Sequence, residues 1–157
     1  DKLIVVKHFF SILFIAVALA SCTTLDVFEK TKAFTKHEWA ANDKPTCTFE
    51  IKDTAAKYNL FLVLRHEDAY KYKNIWLDIT MQSADSTIHV KRDFTLSDNT
   101  KWLGVAMSDI IEHRIKVNAV PIPLKKGNYT FTLQQAMRED PLPYILNAGI
   151  RIEKVKP

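Results

Sequence analysis

In stretch after stretch of this chain, apolar and polar side chains alternate with a period of two. Only an extended strand turns that period into one buried face and one wet face. Tyr129-Thr130-Phe131-Thr132-Leu133-Gln134 is the clearest run. Ile75, Leu77, Ile79 and Met81 form a second inward row, with Trp76, Asp78, Thr80 and Gln82 facing the other way. Ile110–Val117 sets Ile111, His113 and Ile115 against Glu112, Arg114 and Lys116, and Gly149–Val155 sets Ile150 and Ile152 against Arg151 and Glu153. Asn59–His66 is apolar on both faces from Leu60 to Leu64, which suits a central strand covered on each side. Thr87–Leu96, with Ile88, Val90 and Phe94, reads as an edge. Turn residues at 84–86, 97–99, 125–128 and 140–143 separate these runs by roughly 8 to 15 residues. The pattern predicts an all-β chain, a single antiparallel β-sandwich, jelly-roll-like, with about eight strands. Gln135–Asp140 has room for one helical turn before Pro141 stops it. Gly104–Ile111 reads equally as loop or short helix.

The first residues follow a different rule. Lys2, Lys7 and His8 precede an apolar run from Phe9 to Ala20 broken only by Ser11, and Leu19-Ala20-Ser21-Cys22 closes it. A basic start, a short apolar centre and small residues before a cut define a secretory leader. The apolar run spans 12 residues, too few for a membrane-crossing helix, which takes about 20. A cysteine directly after small residues is the substrate of a lipoprotein signal peptidase. Its thiol takes a diacylglyceryl group and cleavage frees its amine for a further acyl chain. Cys22 is thus the expected lipidation site and membrane lipid the expected partner; each buried methylene contributes roughly 0.8 kcal/mol, so two or more long chains hold a protein on a membrane almost permanently. Asp1 is not a natural start, so the initiator methionine is expected to lie just upstream or to have been trimmed.

Removing the leader, residues 1–21, leaves enough chain for one ordinary domain. The full sequence is 47% apolar and 25% charged, a composition that packs a core. Outside the leader there are 20 of the 22 Lys and Arg, without Lys2 and Lys7, against 17 of the 18 acids, without Asp1. The excess is small and spread along the chain, so nucleic acid is not an expected partner. If Cys22 carries lipid, Cys47 has no disulfide partner, and its alternation with Phe49 and Ile51 reads as a buried strand residue. Residues 22–46 read as a lipidated tether and lead-in and 47–157 as the sandwich. Within the lead-in, Phe28, Phe34 and Trp39 are too apolar for a bare linker. Part of Val27–Trp39 is therefore expected to dock as a first edge strand.

No catalytic or metal constellation emerges from spacing. His37, His66, His89 and His113 form no H-x-H or H-x-x-x-H pair. His66-Glu67-Asp68 reads as a solvated strand end, because neighbouring strand residues point to opposite faces. There is no G-x-S-x-G, C-x-x-C or H-E-x-x-H. The expectation is no enzyme, no catalytic residue, no metal and no cofactor. Aromatic residues are the better binding candidates. Tyr70, Tyr72, Asn74 and Trp76 flank a connection between strands, and Trp102 follows another turn. They form a candidate binding surface, with Trp76 the residue most expected to be exposed. A lipid-anchored carbohydrate-binding module of the envelope is one reading of such a surface, resting on fold-level analogy.

The order of blocks carries a resemblance. After the lipobox cysteine come Tyr58-Asn59-Leu60-Phe61-Leu62-Val63-Leu64-Arg65-His66 and Tyr70-Lys71-Tyr72-Lys73-Asn74-Ile75-Trp76-Leu77. Lys101-Trp102-Leu103-Gly104, Ser108-Asp109-Ile110 and Gly127-Asn128-Tyr129-Thr130-Phe131 follow. Gln135-Ala136-Met137-Arg138 and Ala148-Gly149-Ile150-Arg151-Ile152-Glu153-Lys154 complete the series. Taken together these resemble the gliding-motility lipoprotein GldH family of Bacteroidota over nearly the whole mature chain. The resemblance implies an outer-membrane lipoprotein, lipidated at Cys22, that is a structural or assembly component of the gliding machinery linked to type IX secretion. It implies other gliding or secretion envelope proteins as partners, no enzymatic activity and no cofactor. Thr23, Thr24, Leu25 and Asp26 lack the acidic pair that resembles a surface-export signal, so a periplasm-facing position is expected.

Overall fold

A computed structural model describes residues 27–155. The lipobox, the leader and Cys22 lie outside the described residues. Twelve strands run through the described chain: β1 (Val27–Ala33), β2 (Glu38–Trp39), β3 (Thr46–Ile51), β4 (Lys57–Glu67), β5 (Asn74–Gln82) and β6 (Thr87–Thr95), then β7 (Val105–Met107), β8 (Ile110–Lys116), β9 (Ile122–Pro123), β10 (Gly127–Gln135), β11 (Leu142–Pro143) and β12 (Ile145–Val155). Eight of them are six residues or longer, and four are pairs or triplets at the margins. A single 3-10 turn, Thr35–His37, interrupts them.

Ten of the strands form two facing sheets, and β2 and β11 pair separately as a two-stranded ribbon. One has the order β1-β12-β4-β8-β7, with β9 also on β4, and the other β3-β10-β5-β6. Numbering only the eight long strands, the sheets read 1-8-3-6 and 2-7-4-5, the interleaved order of a jelly roll. All pairings are antiparallel. The period of two explains what lies between the sheets. Phe49, Ile51, Leu62, Leu64, Ile75, Leu77, Phe131, Leu133, Ile150 and Ile152 are all buried in one core. Fully burying a side chain of this size contributes roughly 1.5–3 kcal/mol. Cys47 is buried in the same layer, and its thiol donates to the Lys30 carbonyl at 3.2 Å.

The boundary expected at 47 falls inside the folded body. β1 pairs with β12 over seven residues, from Val27 opposite Glu153 to Ala33 opposite Asn147. Trp39 is wholly buried, stacks on Phe34 at 4.9 Å and donates its indole N–H to the Asp43 carbonyl at 2.7 Å. The lead-in thus supplies an edge strand and buries Phe34 and Trp39 against the core. Gly104–Ile111 is neither loop nor helix but a hairpin of β7 and β8, turned at Ser108 with φ 60°. Gln135–Asp140 holds no helical turn. The buried Gln135 side chain organises that loop, accepting from the Met137 N–H at 2.8 Å and donating to the Glu139 carbonyl at 3.2 Å.

The outer face of the larger sheet carries a chain of ion pairs across its strands. Glu112, only 8% exposed, takes Arg65 on one side and Arg114 on the other. Arg114 and Arg151 share Glu29 at 3.3 and 2.9 Å, and Arg151 also reaches Glu153 at 2.6 Å. Burial alone would raise the Glu29 carboxyl, but the bonds from Arg151 and Arg114 prevail and hold it below the usual range.

Candidate functional site

The end of the sandwich where β4 runs into β5 gathers most of the aromatic residues outside the core. A groove of about 450 Å³ opens there, lined by Tyr72, Asn74, Trp76, Lys91, Ala136, Met137 and Arg138. Trp76 faces outward from β5, because Ile75 and Leu77 on either side of it turn to the core. It is 40% exposed, a large apolar surface left in water. The loop after β10 folds over it: the Ala136 N–H donates to the Trp76 carbonyl at 2.8 Å, and the Trp76 N–H approaches the Met137 sulfur at 3.2 Å.

Polar groups around the groove are held in place. Tyr72 donates to Glu139 at 2.8 Å, and Asn74 donates to Asp93 at 2.7 Å. The Glu139 bond pushes the Tyr72 hydroxyl above its ordinary range, keeping it a donor at neutral pH. Exposed Lys91 and Arg138 add two cations. The set can stack a ring on Trp76 and hydrogen-bond its edges or attract an anion. Its lining contains no serine, cysteine, histidine or carboxylate. Among the described residues no three His, Cys, Asp or Glu side chains converge as metal ligands.

The five residues singled out from the sequence divide. Tyr72, Asn74 and Trp76 line the groove. Tyr70 does not present its ring: it is buried beneath, T-shaped against Tyr72 at 5.6 Å, with its hydroxyl donated to the Asn74 carbonyl at 3.0 Å. Burial, then the nearby Tyr72 and Glu139, push its hydroxyl well above the usual range. Trp102 lies on the far side of Tyr70, its indole N–H on Asp68 at 2.6 Å and its ring edge-on to His66 at 4.5 Å. Lys91, Met137 and Arg138 were not singled out. Their one sequence signal is Gln135, an amide at an inward position of a strand, which demands local backbone partners.

His66 corrects the reading of a solvated strand end. It is fully buried and meets His113 across the β4–β8 pair, Nε2 to Nε2, at 3.0 Å. Its Nδ1 lies 2.7 Å from the Glu67 carbonyl, which can only accept, so Nδ1 carries the proton. His113 therefore donates from Nε2 to His66 Nε2, and both rings are neutral. This pair rests in the core side of the aromatic cluster and has no opening to the groove lining.

Comparison with known proteins places this geometry. The sequence profile described as GldH lipoprotein matches residues 26–152. The chain belongs to the GldH lipoprotein family. A GldH homolog of Christiangramia forsetii is 25% identical over 155 residues, covering 92% of this chain and 94% of that protein. The gliding motility lipoprotein GldH of Flavobacterium johnsoniae is 27% identical over 160 residues, covering 95% of this chain and 98% of that protein. Among solved structures, a 4-O-methyl-alpha-glucuronidase with specificity for decorated arabinogalactans aligns with this GldH-family chain at a TM-score of 0.45 and 11% identity. That alignment covers 87% of this chain and only 18% of the enzyme, and no activity passes across it.

Proposed function

We propose that this chain is an outer-membrane lipoprotein, anchored through acylated Cys22 and facing the periplasm, that serves as a non-enzymatic assembly component of the gliding-motility machinery linked to type IX secretion. The observation that carries this reading is the end-to-end match to GldH proteins, which extends over 92% and 95% of the chain. The lipobox and a sandwich with an exposed aromatic groove at one end agree with it. The work of such a component is positional. Acyl chains confine the domain to a plane, and confinement raises its effective concentration toward a partner held in that plane. A Cys22→Ala strain, followed by membrane fractionation and by crosslinking in intact cells, tests the reading. The variant is expected to accumulate as a folded protein released from the membrane fraction, with function lost and envelope crosslinks absent. Full function together with normal membrane fractionation would contradict it.

The exposed Trp76 ring beside Tyr72 and Asn74 favours a second reading, a lipid-anchored carbohydrate-binding module. A glycan array compared between the protein and Trp76→Ala tests it. Binding abolished by the substitution supports this reading, and no binding by either protein removes it.

A further inference from the structure

The way the chain enters the fold fixes more than an anchor point. Cys22 precedes Val27, the first residue of β1, by five positions. Five residues reach at most about 18 Å whatever their conformation. The interfacial layer on each side of a bilayer is roughly 5–8 Å thick. A lipid on Cys22 therefore brings the start of β1 against the headgroups, and one end of the sandwich with it.

Strand register says which end that is. Val27 pairs with Glu153, Glu153 with Asn59, and the adjoining Tyr58 with Ile122. The loops that meet there are 52–56, 83–86 and 117–126. That end exposes apolar side chains that the core does not use: Val27 at 36%, Phe28 at 40% and Val120 at 68%. Phe28 stands at the mouth of a cleft of about 560 Å³ between β1 and β3.

Charge at the same end is lopsided. Its carboxylates are matched: Asp53 with Lys154 at 2.6 Å, Asp85 with Lys125 at 2.5 Å, Glu50 with Lys52 at 3.4 Å and Glu153 with Arg151 at 2.6 Å. Lys57, Lys116 and Lys126 are exposed there with no acidic partner among the described residues. Surplus lysines interspersed with exposed apolar residues are the composition that adheres to an anionic lipid surface.

We infer that this end of the sandwich lies on the bilayer, with Val27, Phe28 and Val120 at the headgroup layer and Lys57, Lys116 and Lys126 on anionic headgroups. The inference rests on acylation of Cys22. It has a consequence for the groove. β4 runs eleven residues from Lys57 at the lipid end to Glu67 at the other, a rise of about 33 Å. The groove around Trp76 is then held some 30 Å from the lipid by the length of the sandwich, directed into the compartment.

The test uses the acylated protein purified from membranes and reconstituted into vesicles of phosphatidylcholine with or without phosphatidylglycerol. Nitroxide labels are placed through Val120→Cys at the lipid end and Leu103→Cys at the opposite end, both exposed positions. Cys47 is buried and stays unlabelled. On vesicles the label at 120 is expected to lose access to a water-soluble relaxation agent at least threefold, while the label at 103 keeps it. The combined Lys57→Glu, Lys116→Glu and Lys126→Glu variant is expected to lose that protection on phosphatidylglycerol vesicles while still floating with them. Vesicle flotation with equal access at both positions, or protection unchanged by the three substitutions, overturns the orientation alone. Failure to float with either vesicle overturns the acyl anchor and the orientation together.

Discussion

His66 and His113 share one hydrogen bond, Nε2 to Nε2 at 3.0 Å, in a core site where neither ring reaches water. Burial first, and then the neighbouring His66, lower the His113 imidazole to about 4. Burial also lowers His66, with the Glu67 carbonyl and the Asp68 carboxylate pulling partly the other way. An unfolded chain takes these protons below about pH 6.5, whereas the folded one refuses them until near the lowered value. Stability is therefore complete above about pH 6.5 and falls as the pH drops from there toward 4, by up to about 3 kcal/mol. Urea unfolding across that range measures the slope. His113→Gln, which keeps a donor for His66 but cannot titrate, is expected to flatten it. Equal stability of the parent protein at pH 4.5 and 7 would contradict the buried pair.

Glu112 predicts a different dependence. Its carboxylate is nearly buried between two guanidinium groups that are 39% and 44% exposed. Glu112→Ala is expected to lose about 1–2 kcal/mol, less than a fully buried pair because both arginines still reach water. The loss should shrink in high salt, and unfolding in 0.05 and 1 M sodium chloride would show it.

Residues 27–46 belong to the fold and not to a tether. Trp39→Ala removes a wholly buried ring and is expected to cost about 3–5 kcal/mol. A chain that starts at 47 loses β1 and Trp39 together, leaving the long β12 as an uncovered edge. It is expected to aggregate where the chain starting at 27 remains monomeric, as light scattering would report.

Gly149 has no room for a side chain. A Cβ there would stand 2.0 Å from the Lys30 carbonyl oxygen and 2.5 Å from the Thr31 Cα, both on β1. Gly149→Ala must therefore displace the edge strand, at an expected cost of about 1–3 kcal/mol. Hydrogen exchange of the β1 amides should accelerate in that variant while those of β10 stay protected.

The period of two made seven of the eight long strands legible, since each presents apolar residues to one shared core; β1, exposed along its length, was legible only through the apolar lead-in that carries it. Even the doubly apolar centre of β4 followed, because β12 and β8 flank it and Val63 is buried on the outer face. The β7–β8 hairpin was not legible. Its turn uses a left-handed serine in place of glycine, and both Val105 and Met107 point outward into solvent. The histidine pair was hidden for another reason: 47 residues separate its members, and only strand register joins them. The groove was half legible. Trp76 announced itself as an outward aromatic on an alternating strand, but Met137 and Arg138 depend on a loop shaped by the Gln135 side chain. Tyr70 misled because a tyrosine beside a connection can equally cap the core, which is what it does here.

Mass analysis of the N-terminal peptide from the protein extracted out of cell membranes bears most directly on all of this. A peptide that begins at Cys22 and carries a diacylglyceryl group, with or without a further acyl chain on its amine, is the expected result. A peptide beginning elsewhere, or an unmodified cysteine, would contradict the lipid anchor and with it the placement of the sandwich on the membrane.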